Sequence, residues 1–215
     1  MKYSLIALLN IIFFANLFYA SSSFATSRSY FSMSATRSEN LQPFPKWTST
    51  LKRFGDQQKL DEDKCDTVEF HPCAIKSWKE MIASVEGKNL REQLDAINTW
   101  GNEHPYIVDQ LNWGMEDFWE TPHEFISVNG DCEDYAIAKY YSLKALGVSL
   151  DKMRIIIVQD FNLGGIIHAI LGVYDEKGDM YILDNQIDQV MPAMKIYHYR
   201  PIYSLNEDWW WAYYQ

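Results

Sequence analysis

Four β-branched residues in a row, Ile155-Ile156-Ile157-Val158, constrain this chain more than any other feature. An apolar run with no polar alternation marks a strand buried within a sheet, here predicted from Met153 to Gln159. Two further strand-like segments follow, Ile166 to Tyr174 and Met180 to Asp184, joined around Glu176-Lys177-Gly178. Everything upstream reads differently. A short helix is expected from Trp47 to about Leu60, and a second from Ala74 to Glu86, broken at Gly87. A third runs from Asn89 to about Trp100, with Leu90, Leu94 and Ile97 at helical spacing and His104-Pro105 ending it. The stretch Leu111 to Phe125 is aromatic and irregular, with Pro122 as a breaker. Asp131 then caps a helix whose first turn is Cys132-Glu133-Asp134 and which stops at Gly147. Helices first and a meander of strands afterwards predict an α+β fold. One domain is expected over residues 46–215, behind a flexible leader at 26–45 rich in Ser, Thr and Arg.

The N-terminus addresses the compartment. Lys2 precedes the apolar stretch Leu5 to Ala15, and small residues follow, with Ser23-Phe24-Ala25 fitting cleavage after Ala25 and Ala20 as the alternative. This is the plan of a signal peptide over residues 1–25; an uncleaved anchor is the competing reading, and the run is short for a spanning helix. The net charge is −10, and removing Lys2 with residues 1–25 makes it −10 − 1 = −11. So acidic a chain is poorly suited to nucleic acid or anionic membranes and better suited to cations.

Three cysteines are an odd number for an oxidising compartment. Cys65 and Cys73 lie close together in a loop-like segment and read as a local disulfide, or with His71 as a metal site lacking a fourth ligand. That pairing leaves Cys132 as a lone thiol, either a buried hydrophobe or a reactive group.

A cysteine becomes a nucleophile when its thiolate is stabilised and a base is within reach. The first turn of a helix offers unpaired N–H groups and the positive end of a dipole, and Cys132 is placed there. The hairpin offers the partners. If Glu176-Lys177-Gly178 is a three-residue turn with Gly178 left-handed, Asp175 pairs with Asp179, His168 faces Gln186 and Asp184 faces Ile170. His168 and Asp184 then share a face as diagonal neighbours; a turn one residue longer would set them on opposite faces. Taken singly, His168 reads as a core histidine, Asp184-Asn185 as a strand-end turn and Cys132 as packing. Together they can form a triad, with Cys132 attacking, His168 moving the proton and Asp184 fixing the imidazole.

The acids around the thiol work against it. Asp131, Glu133 and Asp134 should raise its pKa, unless they hold a hard cation that neutralises them. Ca²⁺ is the expected ion, with Asp151, just beyond the helix, as a further ligand.

The run Asn129-Gly130-Asp131-Cys132-Glu133-Asp134-Tyr135-Ala136-Ile137-Ala138-Lys139-Tyr140 resembles the nucleophile motif of the LapG-type bacterial transglutaminase-like cysteine proteases. Trp113-Gly114, Phe118-Trp119-Glu120-Thr121-Pro122, His168-Ala169-Ile170-Leu171, Ile182-Leu183-Asp184-Asn185 and Pro201-Ile202-Tyr203-Ser204-Leu205-Asn206 follow in family order. The resemblance implies a papain-like, transglutaminase-type fold, a Cys132-His168-Asp184 triad, and Ca²⁺ at Asp131, Glu133 and Asp134. It also implies a periplasmic enzyme that clips a large surface adhesin near its N-terminus and so releases biofilm. The same family is held inactive by the periplasmic domain of an inner-membrane cyclic di-GMP receptor. Asn129 departs from the family's usual glycine, and the Cys65–Cys73 segment looks like an elaboration.

Other readings stay open on these residues. A transglutaminase or amidase could use the same triad, and a catalytically idle Ca²⁺-responsive binding module would make it incidental. Trp113 or Trp119 could lend an indole N–H to the oxyanion hole, or be core or groove aromatics; Trp209-Trp210-Trp211 reads as core or as a contact surface.

Overall fold

A computed structural model of the protein describes residues 30–59 and 72–214. The signal peptide expected at residues 1–25 and the Cys65–Cys73 pairing lie outside the described residues. Among the described residues no helix is long and apolar enough to cross a membrane.

Six helices are described: α1 (Pro45–Gln57), α2 (Pro72–Ser84), α3 (Leu90–Asn102), α4 (Asp109–Asn112), α5 (Pro122–Val128) and α6 (Cys132–Ala145). Seven strands form one sheet: β1 (Ser34–Ser38), β2 (Met153–Asp160), β3 (Ile166–Tyr174), β4 (Met180–Leu183), β5 (Met191–Pro192), β6 (Tyr199–Leu205) and β7 (Trp210–Tyr214). All pairs are antiparallel, in the order β1-β7-β6-β2-β3-β4-β5. The α+β expectation holds, with the helices packed against the sheet.

β2 lies at the centre, and its apolar run is explained by burial on both faces. Ile155 and Ile157 join the helical core with Trp47, Leu94, Ile137 and Tyr140. Ile156 and Val158 turn the other way, onto Ile170, Ile182, Ile196 and Tyr199. Trp47 anchors α1 to the far end of the chain, its indole N–H donating to the Asn206 carbonyl at 2.9 Å. Truncating such a fully buried tryptophan costs about 3–5 kcal/mol.

Two expectations need correction. Residues 34–38, expected within a flexible leader, form edge strand β1 and pair with β7 from Ser34↔Tyr214 to Ser38↔Trp210. The cause is the open edge of β7, whose backbone groups gain partners; β1 itself is largely exposed, so its polar composition suits an edge. Pro122 starts a helix instead of breaking one. Thr121 caps α5, Glu124 reciprocates, and Pro122 fills the first turn, where its missing N–H costs nothing. Two tryptophans of the Trp209-Trp210-Trp211 run are stacked by arginines: Arg154 lies 3.9 Å from the Trp211 ring in β7 and Arg37 4.2 Å from that of Trp209, just before that strand.

Candidate active site

The β3–β4 hairpin has the register counted from the sequence. Leu171 pairs with Leu183 and Tyr174 with Met180, and Gly178 takes φ +85°, a left-handed conformation that glycine adopts without strain. His168 and Asp184 therefore share a face. The His168 Nε2 lies 2.9 Å from Asp184 Oδ1, and each residue is only 2 % exposed. Asp184 also accepts from Gln186 N–H at 2.9 Å and from the Tyr199 hydroxyl at 2.6 Å. Burial alone would push this carboxyl up, but His168, Tyr199 and Gln186 together hold it below the usual range.

With Nε2 committed to Asp184, Nδ1 is the ring nitrogen left for the thiol proton. Cys132 is the first residue of α6 and is partly buried. It lines one cleft of about 290 Å³ with His168, Trp119, Tyr203, Asp131 and Glu133. The helix mouth and the Ala169 backbone favour its anion. Burial and the carboxylates of Glu133 and Asp131 win against them, so the thiol pKa is raised and Sγ–H donates to Glu133 Oε2 at 3.2 Å. A larger cavity of about 510 Å³, lined by Phe54, Trp78, Ile82 and Tyr141, touches none of these residues.

The acids around the thiol are more numerous than the sequence motif shows. Asp131, Glu133 and Asp134 are joined by Asp109 and Asp117: ligand atoms lie within 4.8 Å of one another in the groups Asp109-Asp131-Asp134 and Asp109-Asp117-Glu133, and also in Asp131-Cys132-Glu133. Asp134 is fully buried, and both of its oxygens accept backbone N–H groups, from Glu120 at 2.7 Å and from Asp131 at 2.9 Å. Gly130 makes room for this knot: a Cβ there would lie 2.7 Å from Asp134 Cβ. Asp109 receives the Phe118 N–H through one oxygen, while its Oδ1 and that of Asp131 are buried without a protein partner. Burial raises the pKa of the enclosed carboxyls. Asp109 is pushed up to about 6 and Glu120 to about 8, while Asp131, Glu133 and Asp134 rise as well. Orphaned buried carboxylate oxygens facing one another are a donor set for a hard divalent cation.

Asp151 does not belong to this set. It is exposed in the short turn Leu150–Lys152, beyond the C-terminus of α6. A helix of 14 residues spans roughly 21 Å, so Asp151 lies at the end opposite Cys132. Trp113 is likewise spoken for, its indole N–H donating to Glu120 Oε1 at 2.6 Å, whereas Trp119 lines the cleft. Asn129, the residue that ends α5, has φ 61° and ψ 176°. That backbone is nearly exclusive to glycine, and Asn112 Nδ2 steadies it by donating to the Asn129 carbonyl at 2.7 Å.

Comparison with known proteins gives a consistent picture. The family of bacterial transglutaminase-like cysteine proteinases, BTLCP, matches residues 63–214. Calcium-bound Legionella pneumophila LapG is similar with a TM-score of 0.60 and 28 % identity, over 77 % of this chain and 86 % of that one. The EGTA-treated form of the same protein gives 0.61 and 28 %, over 77 % and 86 %. A third LapG structure gives 0.59 and 29 %, over 76 % and 87 %. No curated protein matches the chain.

Proposed function

The chain belongs to the bacterial transglutaminase-like cysteine proteinases, and from that premise we propose that it is a Ca²⁺-dependent endopeptidase with Cys132 as nucleophile, His168 as base and Asp184 as orienting carboxylate. One observation carries the assignment. His168, buried and 2.9 Å from Asp184, shares a cleft with a thiol at the mouth of α6.

His168 takes the Cys132 proton at Nδ1 while Asp184 keeps the proton on Nε2 and stabilises the imidazolium. The thiolate attacks the scissile carbonyl, and the developing oxyanion can be met by the N–H groups of the first turn of α6. The imidazolium then protonates the departing amine, leaving an acyl-enzyme that water hydrolyses.

Ca²⁺ would be held by Asp131 and Glu133 with Asp109, Asp117 and Asp134, and when bound it supplies positive charge beside the thiol. The unpartnered Asp109 and Asp131 oxygens fit this role, and the calcium-bound and EGTA-treated neighbours support it. The likeness to LapG and the signal-type N-terminus support a periplasmic enzyme that cuts the N-terminal region of a large surface adhesin. On this reading the periplasmic domain of an inner-membrane cyclic di-GMP receptor restrains it, governing biofilm attachment and release.

The test is incubation of the mature protein with N-terminal adhesin fragments, with and without chelator, followed by mapping of the cut. Cleavage should require both Ca²⁺ and Cys132. A Cys132→Ala protein that still processes the fragment would end the protease reading, and turnover undiminished by chelator would end the role of Ca²⁺.

A further inference from the structure

Lys139 lies about two turns along α6 from Cys132, is 1 % exposed and does not line the cleft. A buried ammonium is costly unless its protons are accepted. Its Nζ donates to Asn98 Oδ1 at 2.8 Å and to Asn102 Oδ1 at 2.6 Å, both on α3, and sits 5.7 Å from the Tyr135 ring. The two asparagines turn their N–H groups onto the loop after β4. Asn102 Nδ2 donates to the Asp184 carbonyl at 3.0 Å and to Asp188 Oδ1 at 3.2 Å. Asn98 Nδ2 donates to the carbonyls of Ile187 at 3.1 Å and Asp188 at 2.8 Å.

Helix α3 is shaped around this cation. A Cβ at Gly101 would lie 2.5 Å from Lys139 Cε, so a side chain there would displace the lysine stem from its present path. Burial pulls the Lys139 pKa down to about 7, and the negative charge of Asp184 and Asp188 supports the ammonium against it. Leucine or methionine would fill the same volume without the burial cost, and no step of the proteolytic reaction uses the cation. What the lysine adds is a connection: the helix that carries the nucleophile is tied to the backbone of the residue that orients the base.

We propose that Lys139 is a positioning residue, cross-linking the nucleophile helix through Asn98 and Asn102 to the Asp184–Asp188 loop and so holding Asp184 in register with His168. The proposal rests on the triad reading above. Displacing a catalytic group by about 1 Å can cost 10²-fold in rate, so a pin of this kind has a large lever.

The experiment uses the mature protein with Ca²⁺ added, in wild-type, His168→Ala, Lys139→Met and Asn102→Ala forms. Alkylation of Cys132 by iodoacetamide at neutral pH, located by peptide mass mapping, reports activation of the thiol. The low-field proton resonance of the His168 Nε2–H reports its bond to Asp184. Lys139→Met and Asn102→Ala should each slow alkylation by roughly 10-fold and shift or broaden that resonance, in proteins that still unfold cooperatively. A folded Lys139→Met protein with the wild-type rate and resonance overturns the proposal, as does a slowed rate with an unchanged resonance. Should Lys139→Met not fold, the partly exposed Asn102→Ala decides by the same two criteria. If His168→Ala itself reacts at the wild-type rate, it is the triad that fails.

Discussion

The Tyr199 hydroxyl donates to Asp184 Oδ2 at 2.6 Å while His168 occupies Oδ1, so both oxygens of the orienting carboxylate are engaged. Tyr199 also packs its ring against the imidazole, with centroids 5.7 Å apart. Tyr199→Phe keeps the packing and removes one charge-assisted bond in a buried site. Stability should fall by about 2 kcal/mol, read by urea unfolding, with a clear loss of kcat.

Asp184→Asn should be far more damaging to catalysis than to folding. The amide can present an N–H to Nε2, which forces the proton onto Nδ1, where the thiol proton must go. A drop of roughly 10²- to 10⁴-fold in kcat is expected in a cleavage assay. The ionised Asp184 carboxylate also contributes stability in the wild type. Because the folded pKa of Asp184 is lowered, that contribution is complete above pH ~4 and is lost as pH falls through the lowered value. The stability of Asp184→Asn, read by urea unfolding, should therefore fall less between pH 7 and pH 3 than that of the wild type.

The acidic cluster has the opposite sign. Its folded pKa values are raised, to about 6 for Asp109 and about 8 for Glu120, so the native state binds more protons than the unfolded chain above pH ~4. With more protons on the native side, stability falls as pH rises. Chelated protein should melt at a lower temperature at pH 8 than at pH 5. Added Ca²⁺ should remove most of that slope, and identical slopes with and without the ion would show that the cluster does not bind it.

Asn129→Gly should stabilise. The residue holds a backbone that costs roughly 1–3 kcal/mol for a side-chain-bearing residue, offset in part by the greater freedom of glycine in the unfolded chain. A net gain of about 1 kcal/mol is expected from equilibrium unfolding, with activity retained. A loss of stability would mean that the asparagine side chain supports the α5–α6 junction in some further way.

What could be read from the sequence was what local rules govern. The cap and first turn of α6 and the parity of the β3–β4 hairpin depend on residues close along the chain, and both are as counted. The start of α5 is also present in Thr121-Pro122-His123-Glu124, where the capping pattern outweighs the usual role of proline as a breaker. β1 carried no periodic signal, because neither of its faces is buried. Asp109 on α4 and Asp117 and Glu120 in the loop before α5 meet the acids beside Cys132 only through tertiary packing, and no spacing rule connects them. Asp151 illustrates the converse, being near the helix in sequence and at its wrong end in space. Tyr199 and the Lys139–Asn102 link are likewise products of tertiary packing.

The Glu176-Lys177-Gly178 turn touches no part of the cleft, yet it sets which side of the sheet Asp184 occupies relative to His168. Its side chains can drift freely provided position 178 tolerates a positive φ. Its length cannot. Adding or deleting one residue there would leave a well-folded surface hairpin and an inert enzyme, an inactivating lesion far from anything a substrate meets.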